Sequence, residues 1–244
     1  MFETLRTALL KAFEIPNLDN ITESNELIFK VGETALKVNV TTLVMTWIVM
    51  AMLIGLAYLG VRRLEKFPGR VQALIEWIID GLDGLTKDTI GQESGRKYFP
   101  LFATIFFFVL ISNWLGSIPF FKSPTADLNT TLGLGLLVFF IVQGSAIWTK
   151  GLGHYLKGFL EPMMLAPLML PLNIIGEFAK LTSHSFRLFG NILGGGLVIL
   201  IISELTYYLI LPIGLNGFFG FFVGTVQAFV FAMLAITYIS VARA

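Results

Sequence analysis

The sequence predicts an all-α integral membrane protein with about five transmembrane helices, the last two long and tilted, and one amphipathic interfacial helix. Of its 244 residues, 55% are hydrophobic and only 14% are charged, and the mean hydropathy is +0.79. A soluble domain of this size has too little interior to bury so much apolar surface. Several uncharged runs are also long enough to cross the ~30 Å hydrocarbon layer of a bilayer.

The chain begins with a polar segment and a first span. Residues 1–37 are polar and lack the apolar core and cleavage site of a secretory signal, so we predict a retained extramembrane segment, with a short amphipathic helix in its first dozen residues. The membrane domain is predicted at 38–244, and its first span at 38–61 carries no charge. Four basic residues follow between 62 and 70. Basic groups stay in the cytoplasm, which places the N-terminus outside.

Residues 71–90 have a different pattern. Apolar residues recur at helical spacing, with Glu76, Asp80, Asp83 and Lys87 among them. This predicts an amphipathic helix lying along the cytoplasmic surface of the membrane. A plain cytoplasmic linker helix would show the same pattern.

Two further uncharged runs, 98–121 and 128–149, predict the second and third spans. Lys150 and Lys157 follow the third span and favour the cytoplasm. The loop that joins the two spans is therefore expected outside. Asp127 stands just before the third span, where a carboxylate is expected to cap the helix.

The last two spans are predicted at 172–205 and 217–241, with a short break at 206–216. Three prolines between 162 and 171 predict an irregular approach to the fourth span. That span is more than ten residues longer than the ~20 that a perpendicular crossing needs, so we expect it to be strongly tilted.

The fourth span carries a polar stripe. Its members are separated by four or three residues, which aligns them on one side of a helix. They are Asn173, Glu177, Lys180, His184, Arg187 and Asn191. A charge left against lipid costs at least ~2.5 kcal/mol, so Arg187 needs water or an anion. Glu177 lies about 15 Å away along the helix axis, which indicates that the anion belongs to another subunit.

Glycines follow the arginine. They are Gly190, Gly194, Gly195 and Gly196, and small residues allow another helix to approach closely. The segment SFRLFGNILGGG at 185–196, preceded by NIIGEFAK at 173–180, resembles subunit a of the bacterial F-type ATP synthase, the ATP synthase A chain family. The family's mark is an arginine followed by Leu-Phe-Gly-Asn. TVQAFVFAMLAITYIS, PTADLN and FPGRVQ also resemble family landmarks, and the resemblance covers about 38–244.

The resemblance implies a stator subunit in the bacterial plasma membrane, with its C-terminus in the cytoplasm. Its partners would be the c-subunit ring, the subunit b peripheral stalk, the rest of the complex and membrane lipid. Arg187 would face the ring carboxylates while protons pass through two half-channels. The chain has no GxxxxGK[ST] loop, so we predict no nucleotide site on it. We also predict no cofactor, no metal site and no nucleic-acid partner, since the sequence lacks cysteine and a basic cluster.

Two departures from the family pattern leave the coupling ion open. Where the family often has an acid nine residues after the arginine, this chain has Gly196, and where it often has His or Glu in the last helix, it has Gly220. Sodium is therefore an alternative to protons. From spacing alone, we place Glu177, Lys180 and His184 on an inner path and Glu204 on an outer path. We further assign Asn173 to the ion pathway, and Asn191 and Gln227 to positions beside Arg187.

Each assignment has a structural alternative. Glu177 and Lys180 fit an intrahelical pair, His184 fits a hydrogen-bonded interior imidazole, and Glu204 fits a simple helix end. Asn191 and Gln227 fit hydrogen bonds between helices. A stand-alone secondary transporter is a further alternative, although it predicts internal repeats that the sequence lacks. A purely structural scaffold would not need Arg187.

Overall fold

The computed structural model describes residues 26–31, 34–62, 69–118, 121–158, 166–206 and 210–243. Five of the described helical stretches are long and apolar enough to cross a membrane. They are Val40–Tyr58, Gln92–Leu115, Leu128–Lys150, Pro167–Leu205 and Leu211–Arg243. The predicted helical membrane protein is therefore confirmed. The short helix expected in the first dozen residues lies outside the described residues.

A β-hairpin precedes the first helix and was not predicted. Strand β1, Glu26–Val31, pairs antiparallel with β2, Thr34–Asn39, and Leu27 lies opposite Val38. Both stretches contain β-branched or aromatic residues, which favour strands, namely Ile28, Phe29 and Val31 in β1 and Thr34 and Val38 in β2. Two residues, one of them a glycine, separate the stretches in the sequence, which is typical of a hairpin.

Helix α1 spans Val40–Arg62, and the residue before it caps its start. The Asn39 Oδ1 atom accepts hydrogen bonds from the backbone N–H groups of Thr41 and Thr42, at 3.1 and 3.4 Å. An asparagine at this position satisfies amide groups that have no partner within the helix. The cap thus marks the change from hairpin to helix.

Helix α2 spans Arg70–Ile90 and confirms the predicted amphipathic helix. It ends at Gly91, whose φ of 94° is a conformation that favours glycine. Helix α3, Gln92–Leu115, follows at once. A Cβ atom at Gly95 would lie 2.7 Å from the Lys87 Cα atom, so this tight turn requires glycine. The position of α2 at the membrane interface stays a prediction.

The boundaries of α3 differ from the uncharged run at 98–121. The helix begins six residues earlier, because the charged residues at its start also form backbone hydrogen bonds, and it ends at Leu115. Helix α4 spans Leu128–Lys150. Its predicted cap is confirmed, since the Asp127 Oδ1 atom accepts a hydrogen bond from the Asn129 N–H group at 2.9 Å. A short helix, α5, follows at Leu152–Gly158.

Helix α6 is 40 residues long, Ala166–Leu205, or about 60 Å at the ~1.5 Å rise per residue of an α-helix. It begins six residues before the predicted start at 172, so the approach is helical from Ala166 onward. Pro167 lies in the first turn, where no N–H group is needed. Pro171 lies inside the helix, where it removes one backbone hydrogen bond.

The predicted break at 206–216 is wrong from Ile210 onward. Helix α7 spans Ile210–Gly217 and continues through a π-helical segment, Phe218–Val223, into helix α8, Gly224–Arg243. Glycine and proline in this stretch suggested a loop, but a helix in an apolar environment keeps its backbone groups paired.

The chain forms two compact units. Unit 1 comprises Met1–Arg62, Phe107–Thr130 and Phe189–Ala228, and unit 2 comprises Arg63–Phe106, Thr131–Leu188 and Phe229–Ala244. In unit 2, the end of α8 is tied to three other helices. The Ser240 Oγ atom donates to the Thr89 carbonyl at 2.7 Å, and Arg243 Nε donates to Thr149 Oγ1 at 3.1 Å. The Arg243 guanidinium also lies 5.4 Å from the centre of the Tyr98 ring.

Candidate functional site

The polar stripe of α6 lies along the edge of the packed face of that helix. Among its members, His184 is buried, Asn173, Glu177 and Asn191 are half-buried, and Lys180 and Arg187 are exposed. Steps of three and four residues do not match the helical repeat of 3.6 perfectly, so the stripe has some width. One edge therefore packs against the protein while the other stays open.

Arg187 lies on the open edge. Its side chain is exposed, and it forms no hydrogen bond or ion pair with any residue that the structure describes. A guanidinium group stays charged in proteins. The described part of the chain therefore presents an uncompensated positive charge on α6.

His184, one turn before Arg187, lies on the packed edge. Its imidazole is 2% exposed and stacks on the Phe231 ring with the ring centres 3.8 Å apart. Tyr238 forms an edge contact, with the ring centres 5.9 Å apart. Neither ring nitrogen has a hydrogen-bond partner among the described residues. The described residues therefore do not support the alternative in which His184 is a hydrogen-bonded interior imidazole.

Glu177 is held from two sides within unit 2. The Lys180 Nζ atom donates to Glu177 Oε1 at 2.6 Å, which forms the expected intrahelical pair. The Gln143 Nε2 atom of α4 donates to Glu177 Oε2 at 2.8 Å. Gln143 in turn accepts a hydrogen bond from the Tyr155 hydroxyl of α5, with 2.5 Å between Tyr155 Oη and Gln143 Oε1. Burial, and the negative charge of Glu177, raise the pKa of Tyr155 above its ordinary value.

Unit 1 contains a cluster of neutral polar groups. Asn113 of α3 is buried, and its Oδ1 atom accepts a hydrogen bond from Thr125 Oγ1 at 2.7 Å. Its Nδ2 atom donates to the carbonyl oxygen of Gly224 at 3.0 Å, which links α3 to the start of α8. Ser123 Oγ lies 2.6 Å from Thr125 Oγ1 and donates to the Ser112 carbonyl oxygen at 2.8 Å. We call Ser112, Asn113, Ser117, Ser123 and Thr125 the hydroxyl–amide cluster.

The π-helical segment fits directly against this cluster. A Cβ atom at Gly220 would lie 1.3 Å from Ser117 Oγ and 2.6 Å from Ser117 Cβ. No side chain larger than hydrogen fits at position 220 beside Ser117. The Oγ atoms of Ser112 and Ser117 are buried and have no hydrogen-bond partner among the described residues.

Gln227 of α8 also belongs to unit 1. It is buried, and its Nε2 atom has no hydrogen-bond partner in the described part of the chain. Asn191 is half-buried, and Glu204 is exposed one residue before the end of α6. The helix-end alternative for Glu204 agrees with this position.

The four predicted packing glycines divide into two groups. A Cβ atom at Gly190, Gly194 or Gly196 would have nothing within 4 Å, so these three positions face open space. Gly195 is different, because its Cβ atom would lie 3.1 Å from the Phe219 ring of the same unit. The close contact with Phe219 of the same chain already explains why position 195 is a glycine.

The sequence profile of the ATP synthase A chain family matches residues 43–240. The chain belongs to this family. As a member, it is a membrane subunit that works within an ATP synthase and takes part in ion transport and ATP synthesis. The resemblance inferred from the sequence is confirmed. The alternatives of a stand-alone transporter and of a structural scaffold find no support.

Several relatives of known name match most of the chain. It is 41% identical to ATP synthase subunit a of Trichlorobacter lovleyi over 198 residues, which cover 80% of this chain and 84% of that relative. It is 43% identical to ATP synthase subunit a 1 of Syntrophotalea carbinolica over 195 residues, covering 80% and 82%. For ATP synthase subunit a of Moorella thermoacetica, the identity is 40% over 201 residues, covering 82% and 89%.

The structure explains one of the two departures of this ATP synthase A chain. Position 220 lacks a side chain because Ser117 occupies that space. Where the family often has a polar side chain, this chain thus has a nearby hydroxyl group on the turn that follows α3. At Gly196, the other departure, no described atom fills the space of a side chain.

Sequence reasoning missed Gln143, Tyr155 and Asn113. Their partners lie 34, 12 and 111 positions away in the chain, so no local spacing connects them. A signal was available for two of them. Gln143 and Asn113 are amides inside uncharged runs, and a strongly polar residue within a span is a functional candidate.

Proposed function

We propose that this ATP synthase A chain is the ion-translocating stator subunit a of an F-type ATP synthase. It carries protons between two half-channels and the carboxylates of a rotating c-subunit ring during ATP synthesis. Arg187 is the observation that carries this proposal, because it is exposed, charged and without a partner among the described residues.

Arg187 supplies the chemistry that such a stator needs. A fixed positive charge close to a carboxylate favours its ionised form. A ring carboxylate that arrives protonated therefore releases its proton before it passes Arg187. The same charge prevents protons from crossing directly between the half-channels. Net transfer then requires ring rotation, which the membrane potential drives with about 2.3 kcal/mol per charge per 100 mV.

The open glycines support a ring-facing surface. Gly190, Gly194 and Gly196 follow Arg187 on the same helix, and open space surrounds the position of each missing side chain. Helices that have glycine at their contact positions can approach each other closely. We therefore propose that these three positions face the c-subunit ring, and we leave Gly195 out of this surface.

The two half-channels have different linings in this proposal. Asn173, Glu177, Lys180 and His184 line the inner half-channel. His184 supports this role because its two ring nitrogens are buried without a described partner, so both are available for hydrogen bonds to water in the half-channel. Asn191, Gln227 and Glu204 line the outer half-channel.

We also propose the setting. The chain lies in the bacterial plasma membrane with its N-terminus outside and its C-terminus in the cytoplasm, as the basic residues after the first and third spans favour. Its partners are the c-subunit ring, the subunit b peripheral stalk and the rest of the complex. Titratable side chains along α6 favour protons as the coupling ion, so ATP hydrolysis by the whole complex should not depend on sodium at neutral pH.

The decisive experiment replaces the arginine in the complete complex. We expect Arg187→Ala to abolish ATP-driven proton pumping in inverted membrane vesicles, because no other fixed charge then separates the half-channels. The matched control is Arg96→Ala, which removes an exposed arginine at the start of α3 and should leave pumping unchanged. Pumping that persists in Arg187→Ala would contradict the proposed function.

A further inference from the structure

Tyr155 links helix α5 to helix α4 of the same unit. Six of the seven residues of α5 are exposed, and Tyr155 alone is half-buried. The Tyr155 hydroxyl group reaches Gln143 of α4, whose amide group reaches Glu177 of α6. Tyr155 of this otherwise exposed helix is therefore linked, through Gln143, to a carboxylate of the proposed inner half-channel.

The direction of these hydrogen bonds is informative. A protonated phenol donates to Gln143 Oε1, and this turns the amide N–H groups toward Glu177. A phenol is protonated at neutral pH, and a pKa raised by burial and by Glu177 favours that form further, so Tyr155 remains a donor. Without that donor, the amide loses the contact that favours this orientation. The opposite orientation would point the amide oxygen at the carboxylate oxygen, and both are acceptors.

Lys180 alone would not hold the carboxylate as well. Its side chain is 47% exposed and lies three residues from Glu177 on the same helix. Exposed pairs of this kind contribute little, because two long side chains must be ordered against competing water. Gln143 approaches from a different helix and binds the second carboxylate oxygen. The two contacts together leave Glu177 far less rotational freedom than either would alone.

We propose that Tyr155 and Gln143 are positioning residues for proton transfer, which hold the Glu177 carboxylate in place at the entrance of the inner half-channel. The proposal rests on the proposed function, because it takes Glu177 as part of that half-channel. Neither residue carries the proton. Both act through Glu177, which also accepts a hydrogen bond from Lys180.

The first test is Tyr155→Phe in the complete complex. ATP-driven proton pumping is measured in inverted vesicles, in which the cytoplasmic side of the membrane faces the medium. The substitution keeps the ring and removes the hydroxyl group. We expect pumping at low proton concentration to fall by roughly threefold to tenfold, the range for a lost hydrogen bond in a network with a charged group. Raising the proton concentration of the medium should restore the rate, because only proton capture is slowed. The apparent KM for protons rises while the maximum rate stays the same.

The second test is a double-mutant cycle with Gln143→Leu. If both residues act through one carboxylate, the double variant should lose no more than the stronger single variant. Tyr98→Phe is the matched control, since it removes a tyrosine hydroxyl that lies 2.6 Å from Ser145 Oγ in the same unit. The apparent KM for protons should not change in this control.

Three results would overturn the proposal: additive losses in the cycle, an unchanged KM in Tyr155→Phe, or an equal change in Tyr98→Phe. A lower maximum rate at every proton concentration would indicate a merely structural role and would also overturn it. These failures leave the proposed function intact, because that stands on Arg187→Ala. Loss of the variant subunit from the membrane is measured separately by the amount of assembled complex, and all rates are given per assembled complex.

Discussion

The polar clusters described for the two units of this ATP synthase A chain differ in charge. In unit 2, Glu177, Lys180, His184 and Arg187 are all ionisable side chains on one helix. In unit 1, the hydroxyl–amide cluster and Gln227 are neutral. Ionisable groups take up and release protons, whereas hydroxyl and amide groups orient water and accept hydrogen bonds without changing charge.

This difference bears on the two departures from the family pattern. Gly196 and Gly220 stand at positions where the family often has ionisable side chains, and both positions lie in unit 1. Ser117 takes the space at position 220, and it adds a buried hydroxyl group rather than a titratable one. We infer that protons reach the ring on the outer side through water held by neutral groups together with Glu204, and on the inner side through several titratable side chains.

The largest effect is expected for His184→Phe, which tests whether unit 2 uses a titratable group. The aromatic ring keeps the stacking on Phe231 and removes two nitrogens without described partners. Proton pumping should fall by roughly a hundredfold, the range for a positioned proton-transfer group. Stability should not fall, because an unpaired polar group is no longer buried. Pumping assays and thermal unfolding in detergent measure the two effects, and full pumping activity would show that unit 2 needs no titratable group at position 184.

The next effect concerns packing in unit 1. Gly220→Ala places a Cβ atom against both Oγ and Cβ of Ser117, so the turn after α3 and the π-helical segment must move apart. Overpacking of this kind costs about 1–3 kcal/mol, and the melting temperature of the subunit should fall accordingly. Ser117→Gly in the same chain should restore it. Gly217→Ala is the control, because nothing lies within 4 Å of a Cβ atom there. Equal melting temperatures for Gly220→Ala and Gly217→Ala would show that Ser117 does not fill this space.

A smaller effect is expected for Asn113→Ala. The substitution removes two hydrogen bonds of the hydroxyl–amide cluster, those to Thr125 and to the Gly224 carbonyl. The expected loss is about 1–2 kcal/mol of stability, measured as a lower melting temperature in detergent. An unchanged melting temperature would show that the hydrogen bonds of Asn113 do not stabilise the contact between α3 and α8.

The smallest effect is expected for Arg243→Ala at the end of α8. Its hydrogen bond to Thr149 and its contact with the Tyr98 ring are both partly exposed to solvent. Cation–π contacts at exposed sites contribute about 0.5–1 kcal/mol. The melting temperature should fall slightly and proton pumping should stay unchanged. A loss of pumping equal to that in Arg187→Ala would show that charge in unit 2 matters for assembly rather than for transfer.

Much of the candidate site follows from helical periodicity. The spacing from Asn173 to Asn191 placed six polar residues on one side of a helix, and α6 has that stripe. Periodicity does not show which edge of the stripe is packed. His184 and Arg187 look equivalent in the sequence, yet one is 2% exposed against Phe231 and the other lies on the open edge. The partner helices decide this, and they are distant in the chain.

The boundaries of the helices show the same limit. Uncharged runs predicted five spans because a lipid environment excludes charge. Hydrogen bonding continues a helix past its apolar part, so α3 includes charged residues at its start and α6 includes Pro171. The break expected before α8 became a helix with a π-helical segment for a similar reason.

The sequence by itself determined the membrane class, the helical architecture, the family and the charged residue on which the proposed function depends. These are consequences of composition and local spacing, which every segment carries independently of its neighbours. Only the tertiary structure decided that Tyr155 and Gln143 reach Glu177, and that Ser117 excludes a side chain at position 220. Such contacts depend on distances between helices far apart in the chain, and a one-dimensional pattern holds no information on those distances.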